Sequence, residues 1–501
     1  MRRRDVEGLD VTVVGGGFGG LSAASYLAYG GANVELLEKN DELGGRASTL
    51  KLGKYKFDMG PSWYLMPDVF ERFFENLGKK REDYYELKHL DPHYRIYFKD
   101  GDRIDISADT EEVKELFDSY EDGAGSELES YLETSEKSYE IAMEDFVYTD
   151  RPGIRDWIDL DVLKAAPIGL KMVKTMDSHV ENYFNSSKLR KITQYTLVFL
   201  GGSPSRTPAL YNMMSHVDFN LGVYYPEGGM TGVADCIADL AEELDVDIKT
   251  EVEVNRISNH PDGVVVQTGE RDIKSDVVVS DADYHHTEME LLDKEDRSYD
   301  EDYWREKTLA PSAFLIYLGV EGELPEISHH TLVLPNNWNS HFDSIFENES
   351  WPENPAYYVC NPSITDDLLA PDGNSAIFVL VPIASGLEDT ENQRKEFREK
   401  IIEDLEENTG INIKERIKEE EIFTVSEFSD RYNSYQGTAL GLAHTLRQTA
   451  LLRPSQRSSN LQGLYYTGSY TTPGIGVPMC LVSGEHTSDK IKEDYGTKSR
   501  R

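Results

Sequence analysis

Val11-Thr-Val-Val-Gly-Gly-Gly-Phe-Gly-Gly-Leu-Ser-Ala-Ala-Ser-Tyr-Leu27, followed by Val34-Glu-Leu-Leu-Glu-Lys39, spells an apolar strand, a glycine turn, a small-residue helix and a second strand ending in an acid. Gly15, Gly17 and Gly20 fall on the G-x-G-x-x-G spacing. That spacing gives a tight turn, close backbone approach to a pyrophosphate, and close packing of helix on strand. The helix then aims its N-terminal amides at the phosphates. Glu38 stands eighteen residues beyond Gly20, where its carboxylate can accept from both hydroxyls of an adenosine ribose and disfavours a 2′-phosphate.

Working outward, Asp41-Glu-Leu-Gly-Gly-Arg-Ala47 follows the second strand directly. Its Gly44-Gly45-Arg46 turn can carry a guanidinium to the pyrophosphate while the glycines leave room for the cofactor. This element, with Phe57-Asp-Met-Gly-Pro-Ser-Trp63 after it, resembles the second fingerprint and the next cofactor-lining segment of FAD-dependent amine oxidases and carotenoid desaturases. At the far end, Leu464-Tyr-Tyr-Thr-Gly-Ser-Tyr-Thr-Thr-Pro-Gly-Ile-Gly-Val-Pro-Met-Cys-Leu-Val-Ser-Gly-Glu485 is similar to the C-terminal flavin segment of phytoene-desaturase-type enzymes. Tyr224-Tyr-Pro-Glu-Gly-Gly-Met-Thr-Gly232 and Val277-Val-Val-Ser-Asp-Ala-Asp283 lie between, in the family's order, and the whole pattern most resembles haloarchaeal members. One departure is Thr472, where bacterial relatives commonly carry His.

The resemblance implies an α/β flavoprotein with two Rossmann-like dinucleotide-binding domains, an inserted mixed-sheet substrate domain and a helical cap. It implies FAD as cofactor, held by Gly15, Gly17, Gly20, Glu38, Gly44, Gly45, Arg46, Gly60, Pro61, Ser62, Gly468, Gly476, Val477 and Pro478. It also implies an activity: introduction of carbon–carbon double bonds into a C40 polyene, as a phytoene desaturase or a carotenoid 3,4-desaturase. Isomerases or saturases on the same scaffold, and non-catalytic prenyl-binding escort proteins, are the alternatives. The segments' order divides the chain into an FAD-binding domain in three parts, 1–109, 217–290 and 425–501, a helical cap over 110–216, and a substrate domain over 291–424.

The remaining residues bound the chemistry. A flavin can accept hydride while the protein supplies orientation and electrostatics, so no catalytic side chain is assigned. The turn Gly474-Ile-Gly-Val-Pro478 introduces an expected helix from Met479 to Lys490, whose N-terminal amides favour an anionic reduced flavin. Tyr195, Leu197, Phe199, Tyr211, Met213 and Met214 supply material for an apolar tunnel, with ordinary core packing the alternative for each. Asp145 and Arg151 are left as a surface ion pair. His285-His286 invites a metal reading, but consecutive histidines on a strand diverge and no third ligand follows, so no metal is expected. Cys236, Cys360 and Cys480 are far apart and form no metal spacing or disulfide framework, which suits a reducing cytoplasm.

Fifty-one basic residues against 92 acidic ones give a net charge of −41. Nucleic acid is excluded as a partner by that sign. Such self-repulsion is tolerable where salt screens strongly, with a Debye length of roughly 3 Å at 1 M, so a halophilic cytoplasm is expected. No apolar run is long enough to span a bilayer. A polyene substrate nevertheless dissolves in lipid, so peripheral contact with the membrane is expected, with Leu197-Val-Phe-Leu200 and Ala166-Pro-Ile-Gly-Leu-Lys-Met-Val173 as apolar candidates for the entrance.

Overall fold

Strand β1 (Asp10–Val14) lies at the centre of a five-stranded sheet in which every neighbouring pair is parallel. On one side β2 (Asn33–Leu37) pairs with it and then with Asp247–Lys249; on the other lie Val277–Ser280 and Leu464–Tyr466. Val13 stands opposite both Leu36 and Val279. The strands from 11–14 and 277–280 are buried throughout, as a parallel sheet covered on both faces requires. Beginning, middle and end of the sequence therefore converge in one sheet. The computed structural model describes residues 5–149, 174–200, 202–445, 447–449 and 452–496.

Helix α1 (Phe18–Tyr29) is buried along all but its last residue. Its small residues let the C-terminal helix, Val477–Tyr495, approach closely: Ser22 donates to Leu481 O at 2.7 Å, and a Cβ on Gly484 would lie 2.6 Å from Ser22 Cβ. The expected helix after Gly476 is thus present and extends beyond both of its predicted ends.

A second, seven-stranded mixed sheet runs in the order Ile417–Phe423, Ser312–Val320, Ser375–Ile383, Tyr357–Cys360, His330–Leu334, Tyr94–Phe98, Arg103–Ile106. One face, including Phe314, Ile316 and Val379, packs on helix Glu391–Thr409 through Phe397, Ile401 and Leu405. The other face, including Leu315, Leu332 and Phe378, joins the core under the helical region. A capping box of Thr390 and Gln393 starts that helix, and Gly410 ends it in the left-handed conformation. Strands Tyr94–Phe98 and Arg103–Ile106 depart from the expected division at 109, because they hydrogen-bond into this sheet and not into the parallel one. Alternation marks them as strands, but their partner is more than 220 residues away in sequence and no local signal names it.

Between 110 and 221 the regular elements among the described residues are helices: Thr110–Tyr120, Ala124–Ala142 with a π turn over Met143–Val147, Met176–Val180, Ser187–Gln194, and short helical turns through Leu221. Asp109 caps the first by accepting from Glu111 N at 2.9 Å. Arg151 and the stretch Ala166–Val173 lie outside the described residues. Leu197 is fully buried, so that position of the first candidate entrance stretch belongs to the core. No helix among the described residues is long and apolar enough to cross a membrane.

Candidate active site

The glycine turn is built on β1, whose end it carries toward α1. Gly15 takes φ +101°, and its amide donates to Leu37 O at 2.8 Å, which joins the turn to the end of β2. A Cβ on Gly20 would stand 2.1 Å from Gly15 O; Gly20 therefore serves turn-to-helix packing, and it is the one predicted cofactor residue that does not line the cavity. Glu38, buried at the end of β2, accepts from Gly16 N at 2.8 Å through one oxygen and from Asn40 N and Nδ2 at 2.8 and 2.9 Å through the other. Those bonds fix its plane and leave lone pairs facing the cavity.

The second fingerprint is tied to the first: Gly44 N donates to Gly16 O at 2.8 Å. Gly44 sits at φ +91°, where a Cβ would meet the Ala234 methyl at 2.9 Å. Arg46 reaches Ser434 Oγ at 3.0 Å, but its Nε is buried with no hydrogen-bond partner. A buried guanidinium N–H left unpaired costs free energy, so the position suits an anionic acceptor from the cavity. Gly60 passes Arg46 O so closely that a Cβ would approach to 2.9 Å. Ser62 shares a 2.8 Å hydrogen bond with Tyr358, and Trp63 stacks on His330 with ring centroids 4.0 Å apart.

From the far end of the chain, Gly468 adopts φ +89° and donates to Ser483 Oγ at 3.0 Å. Gly476, at φ +118°, caps the C-terminal helix, with Val477 and Pro478 in its first turn. Thirteen of the fourteen predicted cofactor residues line one cavity of about 610 Å³. The glycine cradle, the pre-oriented Glu38 and the unpaired Arg46 Nε fit a dinucleotide that has a pyrophosphate.

Asp281 also faces this cradle. Its carboxylate oxygens lie 2.5 Å from where a Cβ of Gly17 would be and 2.4 Å from that of Gly19, so glycine is required there for its approach. Burial pushes the Asp281 carboxyl up to about 7; amides of Gly20 and Gly17 and the charge of Arg46 pull down, and Glu38 pushes further up. Its remaining exposure is to the cavity it lines. Near neutral pH part of the population is protonated, the form that tolerates a neighbouring phosphate.

Beyond the cradle the cavity becomes apolar. Of the tunnel candidates, Tyr195, Tyr211, Met213 and Met214 line it, while Leu197 is in the core. The sequence reading missed the opposite wall, where Leu332, Leu334 and Leu380 come from the seven-stranded sheet and Trp338, Phe342 and Ile345 from or beside helix Asn339–Phe346. Alternation in those strands signals an inward face, but nothing local distinguishes a wall from a core.

His444 was also missed. Its imidazole abuts Gly474, where a Cβ would lie 2.5 Å from Cε1, so the turn containing Thr472 receives an imidazole from a distant segment. Ile475 N donates to His444 Nε2 at 3.2 Å, which leaves the hydrogen on Nδ1 to bond Tyr211 Oη at 2.9 Å. Burial, then the charge of Arg453, holds this imidazole well below its usual pKa, hence neutral.

His285 and His286 do not converge: His285 stacks on Tyr435, and His286 Nε2 meets Asn433. Among the described residues, His329, His330 and Cys360 are the group of metal-ligating types that comes together, their donor atoms within 4.8 Å. Thr365 and Tyr358 hydroxyls bond the Nδ1 atoms of the two histidines, and burial keeps both imidazoles neutral.

Residues 18–492 match the family described as flavin containing amine oxidoreductase. Carotenoid 3,4-desaturase of Haloarcula japonica is 61% identical over 98% of this chain and 99% of its own length. A 4,4′-diapophytoene desaturase of Staphylococcus haemolyticus is 30% identical over 97% of this chain and 99% of its own. Among solved structures, an oxidoreductase from Methanosarcina mazei superposes with a TM-score of 0.64 at 16% identity, covering 96% of this chain and 99% of its own. Putrescine oxidase bound to putrescine superposes with a TM-score of 0.60 at 15% identity, covering 96% and 98%. At these identities the two structures speak for the fold alone.

Proposed function

Because the chain belongs to the flavin-containing amine oxidoreductases and, within them, to the carotenoid desaturases, we propose that it is an FAD-dependent carotenoid 3,4-desaturase. It acts on a C40 polyene. The observation that carries this reading is one continuous cavity whose polar end is a dinucleotide cradle and whose other end is walled by aliphatic and aromatic side chains. The 61% identity along nearly the whole chain favours 3,4-desaturation over the phytoene step.

Bound FAD supplies the acceptor for a hydride taken from an allylic carbon. Glu38 would hold the adenosine ribose through its hydroxyls, Arg46 and the amides at the start of α1 would hold the pyrophosphate, and the turn at Gly474–Gly476 would contribute its backbone to the same cavity. Walls such as Leu332, Met213 and Phe342 exclude water and align the polyene. Neutral His444, locked by Ile475 and Tyr211, borders the cavity without charge, so it does not draw water toward an apolar chain.

With −41 net charge, the protein works in concentrated salt, in the cytoplasm, and meets its substrate at the membrane surface. Screening over a few ångströms removes much of the repulsion from anionic lipid. The test is product analysis: FAD-reconstituted protein in molar KCl, given a panel of C40 polyenes in liposomes, should lengthen the conjugated system at the 3,4 bond, seen by chromatography and mass spectrometry. Conversion of phytoene alone would move the assignment to the earlier step. No product from any polyene would end it.

A further inference from the structure

Arg453 is a fully enclosed cation, 5% exposed, and its partners are all neutral. Nε donates to Tyr470 O and Thr471 O at 3.2 and 3.1 Å, one terminal nitrogen donates to Gln448 O at 3.1 Å, and the other donates to Leu442 O and Ser469 O at 3.2 and 2.6 Å. Among the described residues no carboxylate pairs with it, in a protein with 92 acidic side chains. Burial lowers its pKa to about 10, so the charge persists at neutral pH. An enclosed charge without a counter-charge is costly. Five carbonyls accept from its three nitrogens but leave the net charge in place.

Its location gives that charge an object. The Cζ atom lies 3.3 Å from where a Cβ of Gly474 would be, directly behind the turn that lines the cavity and leads into the C-terminal helix. His444, which lines the cavity and also abuts Gly474, is kept neutral, so the charge at this turn is that of Arg453, which does not itself line the cavity.

We propose that Arg453 is a positioning residue for charge: acting through the Gly474–Gly476 turn, it stabilises the negative charge that FAD acquires on reduction. This rests on the FAD-dependent reading above. When two hydrogens leave the polyene, FAD takes a hydride, with its two electrons, and becomes an anion, while the second hydrogen leaves as a proton to solvent water. A fixed cation behind the turn favours that product in a site of low dielectric. The amides of the C-terminal helix act in the same direction.

The experiment uses the full-length protein reconstituted with FAD, reduced in the presence of a reference dye at fixed pH and salt. In Arg453→Met the ratio of reduced to oxidised FAD at the dye's midpoint should fall about tenfold, and Arg453→Lys should restore most of it. A role confined to stitching 442–448 onto 469–471 would alter melting but not this ratio. An unchanged ratio in folded, FAD-bound R453M overturns the assignment. If R453M does not fold, R453K and R453Q are compared: a higher reduced fraction in R453K supports the assignment, and equal fractions overturn it. Failure of the unaltered protein to take up FAD removes the premise as well, and so is distinguishable from an unchanged ratio.

Discussion

The two ends of the cavity are built by opposite rules. At the cradle, single atoms decide: a Cβ on Gly20 would stand 2.1 Å from Gly15 O, and each Glu38 oxygen has assigned donors. At the apolar end, residues from the cap, the seven-stranded sheet and helix Asn339–Phe346 share the wall, and what matters is their summed shape. Substitutions should therefore act steeply in the first region and gradually in the second.

The sharpest break comes from Gly20→Ala. Its methyl cannot fit without moving the turn, so stability should drop by about 3 kcal/mol and FAD binding should be lost, read by thermal melting and flavin fluorescence. Normal binding in this variant would show the turn to be as forgiving as the apolar wall. Next, Glu38→Gln keeps the shape but removes charge-assisted bonds worth roughly 1.5–3 kcal/mol. Calorimetric FAD affinity should fall by about ten- to a hundredfold, and retention of affinity would place the ribose elsewhere.

Asp281 makes a pH-dependent test within the cradle. Its folded pKa, about 7, lies above the roughly 3.9 of an unfolded chain, so between those values the folded state binds the extra proton. Its contribution to apoprotein stability is full below about pH 4 and is lost as pH rises through about 7. Asp58 and Asp218, raised by burial to about 6 and 7, act in the same sense. Asp281→Asn should flatten part of this slope in denaturant titrations from pH 4 to 8; an unaltered slope would refute the role of Asp281. The smallest effect is expected at the wall. Leu334→Ala should leave FAD affinity unchanged and raise the polyene KM a few-fold, since one side chain's share of a wall made by many is on the order of 1 kcal/mol. A loss as large as that of Glu38→Gln would mean that the two ends obey one rule after all.

The same contrast governs what could be read in advance. The cradle was legible because positive φ, close approach and ribose recognition restrict residue type at fixed spacing, as at Gly15, Gly44 and Glu38. The wall was legible only on its helical side, at Tyr195, Tyr211, Met213 and Met214. Leu332 and Leu380 carry the same alternation as the core residues Val333 and Val379, and only the tertiary fold decides which neighbour faces empty space. His444 and Arg453 were invisible for another reason: their meaning comes from Gly474, about 20–30 residues away, and no spacing rule connects them.

The five-stranded sheet interleaves strands from residues 10–14, 277–280 and 464–466, which orders events during synthesis. Until Leu464–Tyr466 has been made, Val277–Ser280 has an open edge where that strand will pair, and α1 lacks the helix Val477–Tyr495 that covers it. Such an edge is exposed to mispairing. Contacts of this sequence separation close slowly. A nascent chain therefore carries its nucleotide fingerprint long before it can grip the cofactor, and one cut short near residue 460 has the motif but lacks Leu464–Tyr466, Gly468 and Gly476, and so has no complete site.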